Sequence, residues 1–122
     1  MKTIISVVVL LAASALAGDV AGTWTGTFKA SGGDHTVPQV VILKQDGNKL
    51  TGSAGPQVQE QYPIENGKVD GDHVTFELTS GEWRFSYDLR LAAKDEMKGD
   101  LALKSINNSR TATVSLKRTK RD

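Results

Sequence analysis

The chain has 122 residues, with 15 Lys and Arg against 14 Asp and Glu, a formal net charge of +1, and no Cys. So balanced a charge provides no global field for drawing in nucleic acid. Without thiols there are no disulfides, no thiol catalysis and no thiolate metal centres, and the fold must rest on packing and hydrogen bonds.

Residues 1–17 read as a secretory signal peptide. Lys2 supplies the positive start, Ile4 to Leu16 the apolar stretch, and Ala15-Leu16-Ala17 a small-x-small cleavage site. Cleavage after Ala17 leaves one domain, residues 18–122, that begins at Gly18 and carries fourteen charges of each sign. The apolar run is too short, and too soon followed by polar residues, to be a good membrane span. An uncleaved anchor is the alternative. The expectation is a secreted or periplasmic protein with no membrane span after signal cleavage.

The segment after the signal, Gly22-Thr23-Trp24-Thr25-Gly26-Thr27-Phe28, alternates as a strand does. Trp24, Gly26 and Phe28 share one face, and the threonines share the other. Ala30 to Asp34 is a loop by composition. Val37 to Lys44 is the second strand, with Val40-Val41-Ile42-Leu43 apolar on both faces, so its inward side stays open. Asp46-Gly47 marks a hairpin turn into a third strand, Lys49 to Ala54. Gly55 to Gln61, with Pro56 as a breaker, reads as a polar loop. Tyr62 to Val69 reads as a single strand with a bulge or kink at Asn66-Gly67, and Asp70-Gly71 as the next turn.

Val74, Phe76 and Leu78 then alternate with polar neighbours, as do Trp83, Phe85, Tyr87, Leu89 and Leu91 after the Ser80-Gly81-Glu82 turn. Met97, Gly99, Leu101 and Leu103 form one face of the next strand. Ala112, Val114, Leu116 and Arg118 form one face of the last. The basic cluster Lys117-Arg118-Lys120-Arg121 reads as a solvated tail rather than a binding patch. No helical period occurs after the signal. About eight strands joined by short turns predict an all-β, eight-stranded antiparallel up-and-down barrel, because closure removes the two open sheet edges. A two-sheet β-sandwich is the alternative, and it would need longer crossovers.

Gly22-Thr23-Trp24 at the head of the first strand resembles the Gly-x-Trp signature of the lipocalin and avidin barrels, the calycin superfamily. The spacing on to Leu50-Thr51-Gly52 is similar to the opening hairpins of avidin-type proteins. The resemblance implies that Trp24 closes one end of the barrel and that Arg118, from the last strand, stacks on its indole as a cation–π pair. It does not extend to biotin, because avidin-type sites use several Trp residues on later strands and only Trp83 follows Trp24 here.

No catalytic constellation stands out, and the expectation is a non-enzyme without metal or cofactor. His35 and His73 lie in a loop and a turn, with no carboxylate at metal-ligand spacing. The interior is the only candidate site. Trp24, Phe28, Phe76, Phe85, Tyr87 and Arg118 are its candidate ligand-binding residues, with Gly26, Gly52 and Gly99 on the same faces. The glycines either leave room for a small hydrophobic ligand or permit the coiling of a filled barrel. The buried Tyr87 hydroxyl needs a partner, either Arg118 or a ligand. Two roles follow. One is binding of a small hydrophobic molecule; the other is an extracytoplasmic interaction or structural module with a filled interior, for which Trp83, beside a turn, is a candidate contact.

Overall fold

A computed structural model describes residues 19–121. The expected signal peptide and its cleavage site lie outside the described residues. Nine strands are present: β1 (Gly22–Ala30), β2 (Thr36–Asp46), β3 (Lys49–Gln57), β4 (Glu60–Pro63), β5 (Glu65–Asp70), β6 (His73–Ser80), β7 (Trp83–Ala93), β8 (Glu96–Lys104) and β9 (Ser109–Arg121). Every pairing is antiparallel, and there are no helices among the described residues.

The ring runs β2-β1-β9-β8-β7-β6-β5-β3 and closes through β2–β3. It is a closed eight-stranded barrel, not a sandwich, and β4 is an additional short strand paired with β3 alone. Two-residue turns at Gly47-Asn48, Gly71-Asp72 and Gly81-Glu82 connect paired strands, each with a glycine at positive φ. These are the turns that the Asp-Gly and Ser-Gly steps predict.

Three boundaries differ from the sequence reading. Gly55 to Gln57 continues β3 instead of forming a loop. Pro56 is accommodated because the β3–β4 register shifts between Ala54 and Gln57, and a bulge tolerates a residue with no N–H to give. The stretch Tyr62 to Val69 is divided at Ile64 into β4 and β5. The expected bulge at Asn66-Gly67 is present as well, with a register shift between Glu65 and Lys68 and Asn66 at φ 53°. The C-terminal basic cluster is strand, not tail: β9 pairs with β1 as far as Gly22↔Arg121.

The inward faces follow the alternation of the sequence. Trp24, Val41, Leu43, Leu50, Val74, Phe76, Leu89, Met97, Leu101 and Leu116 are fully enclosed, with Tyr87 and Leu78 close behind. The inward glycines are not spaces. A Cβ on Gly26, Gly52 or Gly99 would run into the carbonyl oxygen of Ser115, Ile42 or Asp88 respectively. These are points where a strand coils onto its neighbour, as a small barrel requires. Of the two readings open for these glycines, the backbone supports coiling.

Candidate functional site

The barrel has two unlike ends. One gathers the β2–β3, β5–β6 and β7–β8 turns with the start of β1 and the end of β9. The other gathers the β1–β2, β3–β4, β6–β7 and β8–β9 connections.

The first end is shut. Trp24 is wholly buried, and its Nε1–H donates to the Val20 carbonyl at 2.9 Å. The Arg118 guanidinium lies 4.7 Å from the indole centroid. The cross-strand register Trp24↔Arg118 sets this stacking. The Arg118 side chain is 2% exposed and donates to Asp95 Oδ1 (2.9 Å) and to the carbonyls of Asp19, Ala21 and Lys94 (3.0 Å each). Those bonds staple the segment before β1 and the β7–β8 turn to the last strand. Asp95 feels the arrangement: its hydrogen bond from Arg118 holds the carboxyl below its ordinary range, with Arg121 adding to the pull. The Trp24–Arg118 pair has the geometry that the calycin resemblance implies, and it is structural.

The second end holds a cavity of about 190 Å³. Phe28 from β1, Val37 and Gln39 from β2, Leu78 from β6, and Phe85 and Tyr87 from β7 line it, with Tyr62 and Glu60 of β4 at its flank. Alternation along β7 puts Phe85 and Tyr87 on the inner face, and pairing aligns them with Leu78 and Phe76 on β6. The cavity reaches the side of the barrel as well as its top. β4 forms a backbone ladder only with β3, so its other edge faces β6 without one. Gln61 pins β4 in place, accepting from Ser53 Oγ at 2.6 Å and donating to the Val40 carbonyl at 3.1 Å.

Two polar side chains meet inside this largely apolar space. Tyr87 Oη donates to Gln39 Oε1 at 2.5 Å, and Gln39 Nε2 donates to the Pro38 carbonyl at 3.2 Å. Gln39 is 5% exposed. The Tyr87 ring stacks on Phe76 with centroids 4.5 Å apart and planes at 21°. Burial pushes the Tyr87 phenol well above its ordinary 10.0.

The six candidate residues therefore separate. Phe28, Phe85 and Tyr87 line the cavity, and Phe76 supports Tyr87 by stacking. Trp24 and Arg118 stand at the opposite end, outside the cavity lining. The partner of the Tyr87 hydroxyl is not Arg118, which the β1–β9 register commits to Trp24, but Gln39. The alternation Val37, Gln39, Val41, Leu43 would have placed Gln39 inward. The apolar outer residues Val40 and Ile42 hid that parity.

Elsewhere the surface is polar. A shallow depression of about 620 Å³ on the outer face of β5 to β8 is edged by Lys68, Glu77, Asp88 and Asp100. Its charged side chains are solvated and converge on nothing buried, so the interior cavity is the candidate site. His73 lies 2.5 Å from Asp88 across β6 and β7, a partner that sequence spacing did not reveal. No group of three or more His, Asp or Glu able to hold a metal occurs among the described residues.

Titration of Tyr87 gives a direct check on its burial. The unfolded phenol loses its proton near pH 10, whereas the folded protein keeps it. Above that pH the unfolded state binds fewer protons, so stability falls as pH rises; below it, the contribution is intact. Urea midpoints at about pH 9 and about pH 11 should show this loss, approaching about 1.4 kcal/mol per pH unit. Tyr87→Phe should remove it. An equal alkaline loss in the variant would show that Tyr87 ionises freely in the fold.

No family model matches this chain, and no curated protein matches it. Among solved structures, it is similar to EF1p2_mFAP2b bound to DFHBI, with a TM-score of 0.66 and 17% identity over 88% of this chain and 97% of that one. At this identity the likeness is one of fold.

Proposed function

We propose that this chain is an exported, non-catalytic calycin-like barrel that binds one small, largely apolar molecule in the cavity between Phe28, Phe85 and Tyr87. The observation that carries the reading is a cavity with apolar walls and one buried polar pair, at the end opposite a firmly shut base. Binding sites commonly have this make-up, apolar walls with a few placed polar groups. The fold neighbour, described as bound to DFHBI, is a barrel of the same kind holding a small molecule. Export rests on the signal-like residues 1–17. The absence of catalysis rests on the lining, where Glu60 is the single carboxylate and has no histidine or cation beside it.

A second reading has its own support. Ile106 (90% exposed), Val58 (64%) and Val37 (37%) all lie at the cavity end, as an interaction module would require. Native mass spectrometry separates the two. The mature protein, purified gently from the exported fraction of its own host, should carry a small mass that denaturation releases. A bare chain, as monomer or dimer, would favour the interaction module.

A further inference from the structure

We infer that the ligand is a neutral ring compound bearing a single hydroxyl, which the Gln39–Tyr87 pair recognises at the cavity wall. The inference rests on the binding reading above and narrows it.

The hydrogen-bonding inventory of the pair gives the chemistry. A primary amide has two N–H donors, and Gln39 uses one on the Pro38 carbonyl. A phenol has one donor and two lone pairs, and Tyr87 spends the donor on Gln39 Oε1. What remains is an amide N–H to give and a phenolic oxygen to receive, on two neighbouring residues that both line the cavity. A hydroxyl group both accepts and donates, so a single ligand oxygen can satisfy both. A purely apolar ligand would fill the space and leave those capacities unmet. A carboxylate would meet an acceptor, Tyr87 Oη, with no donor of its own.

Charge argues the same way. Among the residues lining the cavity, Glu60 is the only one charged at neutral pH, and its Oε2 accepts from Tyr62 Oη at 2.9 Å. The buried cation of the barrel, Arg118, is committed to Trp24 and Asp95 at the far end. An anion entering the cavity would lose its hydration and find no positive partner. Size sets the scale of the ring: a cavity of about 150 Å³ admits benzene, and this one measures about 190 Å³. One ring with a short substituent fits.

The test titrates the protein with 4-ethylphenol, ethylbenzene and 4-ethylbenzoate, following amide chemical shifts, which read even weak binding. The phenol should bind about tenfold tighter than ethylbenzene, the worth of one well-made hydrogen bond, and the benzoate should bind weakest. In the double variant Gln39→Leu/Tyr87→Phe, which removes both polar partners together, the preference for the phenol over ethylbenzene should collapse while ethylbenzene binding persists. If that variant does not fold, the Gln39 side-chain amide signals of the unaltered protein should shift with the phenol and not with ethylbenzene. Equal binding of phenol and ethylbenzene, tightest binding of the benzoate, or a preference that survives the double substitution would overturn the inference while leaving the binding function standing. Failure of all three compounds to shift the cavity residues would remove the binding function, and this inference with it.

Discussion

Trp24→Ala should destabilise the protein by about 3–5 kcal/mol, the range for truncating a large enclosed aromatic. Three losses coincide at that position. The indole is fully buried, so its removal leaves a void at the shut end. Its N–H is the donor to the Val20 carbonyl, and Val20 is itself wholly buried, so the segment before β1 loses an anchor. Its face carries the Arg118 guanidinium, which would then stand over empty space. Domains of this size commonly have about 5–15 kcal/mol in total, so the variant should remain folded only marginally. Urea unfolding followed by circular dichroism checks this. A loss below about 1 kcal/mol would mean that Trp24 does not organise the core. Trp24→Phe separates packing from hydrogen bonding. It keeps most of the aromatic volume and should cost about 1–3 kcal/mol, chiefly from the Val20 carbonyl left without its donor.

Gly52→Ala should cost about 3 kcal/mol, although it adds only one carbon. Gly52 has φ +132°, a conformation that side-chain-bearing residues rarely adopt, and its added Cβ would collide with the Ile42 carbonyl across the β2–β3 ladder. β2–β3 is the pairing that closes the ring, so relief by separating the strands would open the barrel. Gly47→Ala is the control. Gly47 also has a positive φ of +64°, but nothing lies within 4 Å of its would-be Cβ. That substitution should cost only about 1 kcal/mol, from backbone strain alone. Thermal unfolding of the two variants side by side measures the difference. Equal losses would mean that the strands at Gly52 have room to move apart.

Most of this architecture is legible in the chain because alternation and turn chemistry are local. Phe76 to Leu78 and Phe85 to Leu89 each declare an inner face within a few residues, and the glycine-containing turns fix the hairpins between them. The errors arise where a local signal was cancelled by a distant partner. Pro56 and the polar residues around it read as loop, yet the bulge opposite β4 lets β3 continue through them. Lys117 to Arg121 reads as a solvated tail because composition cannot show that β1 is waiting to pair with it. The site is legible in part. Phe28, Phe85 and Tyr87 were found from alternation, and Trp24 with Arg118 from the resemblance. The division of these residues between opposite ends of the barrel depends on register, which no single strand records. Gln39 was missed because a glutamine among valines attracts notice only once its strand's inner face is known.

The pairing of β1 with β9 has a consequence for how the protein is made. The two strands are the first and the last of the barrel, in register from Gly22↔Arg121 to Ala30↔Ala112. A chain emerging from the ribosome presents Trp24 with the first strand of the barrel and Arg118 with the last, so no partial product can complete the ring. Every chain truncated before β9 would keep two unsatisfied sheet edges, on β1 and β8, and would leave Trp24 without its cationic cover. Such fragments would be natural substrates for proteases and templates for aggregation. Synthesis of this barrel is thus all or nothing, with its ninth strand deciding whether its first is ever protected.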